Sequence, residues 1–200
     1  VKTAPVARLV EEAAEPHAGR GKTIHLRLMG RPAEEAGAEQ PEVHRRPEVI
    51  HGLRNLVQNA VDFAEAEVWV DVTWTEAELR IAVGDDGPGF SPDMLGRLGD
   101  PFVRDRARRG APEGRAGYEG MGLGLFIAKT LLERTGARVS FANGAEPEAR
   151  AVRRRGAAPE GARPTGAIVE AAWPRGAVDR APGGRRPALG PNEGFSFAEE

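Results

Sequence analysis

Between Val49 and Gly89 the apolar period of the chain changes once and then stops. Val49, Ile50, Leu53, Leu56, Val57, Ala60, Val61 and Ala64 recur at helical spacing, with Pro47 placed to open a helix. Val68, Val70, Val72 and Trp74 then alternate, as do Leu79, Ile81 and Val83, with a short turn around Glu76–Glu78. The run Asp85-Asp86-Gly87-Pro88-Gly89 ends the second strand. The stretch thus carries a helical period and two strand periods in succession.

The flanks extend the same pattern. Residues 6–14 fit a short amphipathic helix, and Ile24, Leu26 and Leu28 share one face of a strand. Residues 30–42 read as a polar loop. A second helix is expected from about Met121 to Arg134, with Gly136 as its stop. Strands are expected at Arg138–Ala142 and Ala167–Trp173. Residues 103–119 hold five arginines and little apolar content, and 144–165 form a polar insertion. Residues 1–175 are read as one domain. Residues 176–200, rich in Gly, Pro and Arg, cannot bury enough apolar surface to offset their ordering entropy and are read as a disordered tail.

Composition narrows the function classes. A net charge of −2 supplies no basic field for nucleic acid. With no cysteine, the chain has no thiolate metal site, thiol nucleophile or disulfide of its own. Its longest apolar runs are too short to cross a bilayer, and its first residues lack an apolar signal segment. The expectation is a soluble, cytoplasmic domain without membrane or nucleic-acid contact. Gly21-Lys22-Thr23 resembles the end of a P-loop, but Pro16 stands where the first glycine is required. A helix precedes the triplet and a strand follows it, the reverse of a P-loop, so it reads as a polar turn.

Three elements carry chemistry. Asn55 and Asn59 lie four apart on the long helix and share a face, where an amide oxygen can meet a hard cation such as Mg²⁺. Asp85 sits at a strand end, where a carboxylate can accept from an exocyclic amine; Gly87 and Gly89 let backbone approach a planar ring. Gly120, Gly122 and Gly124, around Met121 and Leu123, open a helix whose N–H groups and dipole favour anions. Each element alone has a plain alternative: an exposed amide pair, an acidic turn, a flexible hinge.

Their order is the specific signal. A helix with Asn-x-x-x-Asn, two strands, Asp-x-Gly-x-Gly, Asp100-Pro101-Phe102, a loop and Gly-x-Gly-x-Gly strongly resembles the ATP-binding catalytic domain of sensor histidine kinases. These belong to the group shared with gyrase, the 90-kilodalton heat-shock chaperone and MutL. The likeness spans about residues 5–175. The stretch Asn55-Leu-Val-Gln-Asn-Ala-Val-Asp-Phe-Ala64 also resembles the redox-responsive kinases of the RegB (PrrB) type.

The resemblance implies an α/β two-layer sandwich, a mixed sheet with helices on one face, of the Bergerat type. It implies ATP and Mg²⁺ as cofactors, with Asn59 as the Mg²⁺ ligand and Asn55 its companion. Asp85 would bond the adenine amino group, with Gly87, Gly89 and Phe63 lining that pocket. Phe102 would pack near an ATP lid at 103–119, while Gly120, Gly122, Leu123 and Gly124 would hold phosphates. Thr165-Gly166 resembles the small pair before the last strand. Hydrolysing members of the group carry a glutamate where this chain has Asn55, and a neutral amide cannot serve as general base near pH 7. Phosphoryl transfer is thus implied rather than rapid hydrolysis.

One departure stands out. Many histidine kinases carry Lys or Arg where this chain has Asp62, so the missing cation is expected from Arg104, Arg106, Arg108, Arg109 or Arg115. None of His17, His25, His44 and His51 has the context of a phosphoacceptor. The implied partners are therefore a dimerisation and phosphoacceptor domain outside this sequence, and a response regulator. The chain reads as part of a longer kinase, compatible with an inner-membrane anchor elsewhere, or as a stand-alone fragment. Alternative readings are a nucleotide-binding regulatory module without transfer activity and an anti-sigma-type serine kinase.

Overall fold

A computed structural model describes residues 2–35, 39–96, 98, 121–144 and 164–179. The elements run β1 Thr3–Pro5, α1 Val6–Ala14, β2 Thr23–Leu28, β3 Arg31–Pro32, β4 Glu42–His44 and α2 Pro47–Phe63. They continue with β5 Glu67–Trp74, β6 Glu78–Asp85, α3 Pro92–Leu95, α4 Met121–Glu133, β7 Arg138–Asn143, β8 Ala167–Pro174 and α5 Arg175–Val178. Single 3₁₀ turns occupy Glu15–His17 and Ala33–Glu35.

Six strands form a mixed sheet in the order β3-β2-β5-β6-β8-β7. β2 and β5 are parallel, with Leu26 opposite Val70, because α2 lies between them in the chain. The other pairings are antiparallel. β1 and β4 make a separate two-stranded ribbon.

One face of the sheet is apolar and carries the helices. Val68, Val70 and Val72 of β5, Ile81 and Val83 of β6, and Val169, Ala171 and Trp173 of β8 are buried there with Leu53, Leu56 and Val57 of α2 and Leu125, Ala128 and Leu132 of α4. Each fully buried aliphatic side chain contributes roughly 1.5–3 kcal/mol. A Cβ on Gly52 would lie 2.6 Å from the Leu132 side chain, so this glycine sets how closely α2 and α4 pack. The other face is largely polar. Arg27 pairs with Asp71 at 2.5 Å and Arg80 with Glu170 at 3.3 Å, while His25 stacks on Trp69. A sandwich of one mixed sheet with helices on one face agrees with the expected fold class.

The stop at Gly136 has its physical cause. Its φ is +93°, and Ala137 N donates back to the Leu132 carbonyl. Two expectations change. The 30–42 segment is not wholly loop, because β3 caps the edge of β2 and β4 begins at Glu42. Residues 176–179, assigned by composition to a disordered tail, are ordered instead. Val178 is buried and Asp179 bridges to Val43, because one apolar side chain reaches the core. Residues 180–200, the 145–163 insertion, the 103–119 lid, Phe102 and Gly120 lie outside the described residues. Among the described residues no helix is long and apolar enough to cross a membrane.

Candidate functional site

The site begins where α2 ends and β6 stops. Asp85 is the last residue of β6 and is 1% exposed. Its Oδ1 accepts from Gly87 N at 2.8 Å and from Ala167 N at 3.3 Å. Its carbonyl accepts from Gly166 N at 2.7 Å and Thr165 N at 3.2 Å. Strand end and following turn therefore hold the carboxylate plane in one orientation. A buried carboxylate is costly unless hydrogen-bonded, and the backbone meets that cost here.

Asp86 does a different job. Its Oδ1 accepts from Glu65 N at 2.8 Å, Ala66 N at 3.0 Å and Glu67 N at 3.2 Å. It staples the α2–β5 connection, so the two adjacent aspartates divide into one that faces the site and one that builds its wall.

The glycines have steric reasons. A Cβ on Gly87 would collide with the Phe63 carbonyl, and one on Gly166 would lie 2.7–2.8 Å from Gly87 N and O. Gly89 has φ +78°, and a Cβ there would meet Asn143 Oδ1 at 2.7 Å. Asn143 in turn brackets the Phe90 backbone: its Oδ1 accepts from Phe90 N at 2.7 Å and its Nδ2 donates to Phe90 O at 2.8 Å. Phe90 is buried against Phe141 edge to face. Phe63, Asp85, Gly87, Gly89 and Gly166 thus form one contiguous cluster. The sequence reasoning missed Asn143. No motif marks it, since its role depends on β7 lying beside the 85–90 turn.

Asn55 and Asn59 share a stripe of α2, one turn apart. Asn59 is 8% exposed. Its side-chain amide oxygen is a neutral oxygen donor of the kind a hard cation takes, so the residue fits Mg²⁺. Gly122 and Gly124 fall in the first turn of α4, where the first four N–H groups lack intrahelical acceptors. A Cβ on either would meet no described residue within 4 Å. First-turn amides of a helix are the donors an anion needs. Leu123 is partly exposed between them, while Leu125 is fully buried and anchors the turn.

The decoy resolves as a turn. Lys22 Nζ donates to the carbonyls of Ala64 at 2.6 Å and Glu65 at 2.9 Å, so its ammonium caps the C-terminus of α2. Asp62 pairs with Arg20 at 2.6 Å, a partner expected nowhere in the sequence reading. Arg20 Nη1 also lies 3.3 Å from His17 Nδ1. Burial, with help from Arg20, lowers the His17 pKa below its ordinary value.

Comparison with known proteins gives the family. Residues 45–175 match the family described as histidine kinase-, DNA gyrase B- and HSP90-like ATPase. The chain is 52% identical over 192 residues to the sensor histidine kinase RegB of Cereibacter sphaeroides, covering 96% of this chain and 39% of that protein. It is 35% identical to the sensor protein kinase CarS of Pseudomonas aeruginosa over 48% of this chain and 20% of CarS. The chain thus spans about two-fifths of the length of its RegB relative. Among solved structures, the mycobacterial sensor histidine kinase MprB has a similar fold, with TM-score 0.56, 17% identity, and coverage of 86% of this chain and 97% of that one. Full-length ShkA, solved with AMPPNP, matches at TM-score 0.56 and 20% identity over 90% of this chain and 32% of that one. The match over residues 45–175, with the identity to RegB, shows that the chain belongs to the histidine kinase-, gyrase- and HSP90-like ATPase family, as an ATP-binding domain of the RegB sensor kinase type.

Proposed function

We propose that this chain binds Mg²⁺·ATP and presents the γ-phosphate to a histidine on a dimerisation domain outside it, as the catalytic part of a two-component sensor kinase. A response regulator is the onward acceptor. Asp85 accepts from the adenine amino group, and Phe63, Gly87 and Gly89 line the ring. Asn59 holds the metal, with Asn55 beside it, and Gly122, Leu123 and Gly124 present helix amides to the phosphates. Gly120 and Phe102 are assigned to the same site by resemblance. Bound Mg²⁺ supplies charge neutralisation at the phosphates; the chain supplies orientation. Phosphoryl transfer needs mainly positioning and charge stabilisation, which suits a site built from fixed amides and backbone.

The observation that carries this reading is the amide stripe of α2, the helix whose last residue, Phe63, lies against Gly87 of the turn after Asp85. It offers two neutral amides and no carboxylate at the Asn55 position to activate water. The site therefore favours holding ATP over hydrolysing it. Asp62, where many histidine kinases carry a cation, is paired with Arg20 at 2.6 Å, which offsets its charge.

The test is calorimetric titration of the chain with ATP, with and without Mg²⁺, beside Asn59→Ala and Asp85→Ala. Mg²⁺-dependent binding that both variants abolish is the expected result. Labelled phosphate should then appear on a supplied dimerisation domain in acid-labile form; acid-stable label would indicate serine. Absence of ATP binding by the parent chain would reject the reading.

A further inference from the structure

The connection between α1 and β2 is more constrained than a linker needs. Gly19 and Gly21 take φ of +79° and +81°, so Arg20 is held between two left-handed residues that have open space around them. Lys22 pins the same turn to the end of α2 through the Ala64 and Glu65 carbonyls. Arg20 Nη2 then donates to Asp62 Oδ1. Asp62 is three residues beyond Asn59 and seven beyond Asn55, so it continues their stripe. The turn thus carries a guanidinium, from 42 residues earlier in the chain, to the end of the face that holds the amides.

The pair adds little to stability by itself. Its side chains are 44% and 39% exposed, and exposed ion pairs are weak. Its effect is on charge placement. An isolated carboxylate at that point would repel a polyphosphate. With Arg20 docked it is neutralised, and two of the five guanidinium N–H donors meet Asp62 and His17, which leaves three for phosphate oxygens.

We propose that Arg20, positioned by Asp62, is the cation that contacts the nucleotide polyphosphate. The inference rests on the ATP-binding reading above and adds a contact supplied from outside α2.

The test compares ATP and adenosine affinities, in Mg²⁺, for the parent chain, Arg20→Ala, the double variant Arg20→Ala/Asp62→Lys, and Asp85→Ala. Arg20→Ala should weaken ATP about tenfold, as expected for one partly exposed charge-assisted contact, and leave adenosine unchanged. The double variant, which returns a cation to the stripe, should recover most of that loss. Equal weakening of ATP and adenosine would make Arg20 a structural staple and overturn the proposal. Unchanged ATP affinity in Arg20→Ala, with binding lost in Asp85→Ala, would overturn it while leaving the ATP site intact. Failure of the parent chain to bind ATP would reject both readings. Thermal melts of each variant separate unfolding from lost contact.

Discussion

Replacing Gly122 and Gly124 by alanine should make the domain more stable and a poorer nucleotide binder. The structure separates the two effects. Both residues are helical, neither has a positive φ, and a methyl on either meets no described residue within 4 Å. Among the described residues nothing opposes the helix-propensity gain, which is about 1 kcal/mol per interior glycine and smaller for Gly122 near the helix start. A total of about 1–1.5 kcal/mol should raise the melting temperature by about 2–6 °C for a domain of this size. On the proposed reading of the site, the same methyls crowd the approach of phosphates to the first-turn amides. Loss of one charge-assisted hydrogen bond there costs about 1.5–3 kcal/mol, or roughly 10- to 150-fold in affinity. Circular-dichroism melts with and without Mg²⁺·ATP, and calorimetry on the same samples, read both quantities. A lower melting temperature without nucleotide would show that the glycines face packed structure. A higher melting temperature with undiminished ATP affinity would show that the start of α4 does not face the phosphates. Either result would refute the reasoning.

Other substitutions test other parts of the design. Gly166→Ala drives a methyl into Asp85 Oδ1 and the Gly87 backbone, so urea unfolding should show a loss of about 2–4 kcal/mol together with lost ATP binding. Asp86→Ala strips an acceptor from three backbone N–H groups; stability should fall by about 1–3 kcal/mol with ATP affinity within about twofold, and the opposite pattern would contradict its assignment as a staple. Gly52→Ala presses on Leu132 and should cost about 1–3 kcal/mol, much of it recovered when Leu132→Ala is added. His17 has a folded-state pKa below its unfolded value near 6.5, through burial and Arg20, opposed by Asp62 and reinforced by Arg54. The unfolded chain therefore binds more protons as pH falls through about 6.5, and stability drops in that window. Denaturant midpoints at several pH values between 5 and 8 should show a shallower fall for His17→Gln than for the parent.

Much was legible because it is periodic or local. The stripe from Val49 to Ala64, the alternation of Val68 to Trp74 and the stop at Gly136 follow from 3.6- and 2-residue repeats and from one left-handed residue. β1, β3 and β4, at two or three residues, are too short to carry a period, and they exist because neighbours pair with them. The order of the Asn, Asp and Gly motifs was likewise enough to place the chain in its family. Motif order could not tell the fixed carboxylate of Asp85 from the turn staple of Asp86, which differ only in which backbone amides surround them.

The sequence by itself determined the element types, the one apolar face that forces sheet against helices, and the candidate residues for nucleotide. Those properties live in spacing, and spacing is local. Only the tertiary structure decided what lies beside what. Gly166 closes over Asp85, Asn143 brackets Phe90, and Arg20 reaches Asp62 across 42 residues. Such contacts depend on strand order and on the docking of one turn against a helix end. They are set by the packing of the whole sheet, and no window of the chain contains them.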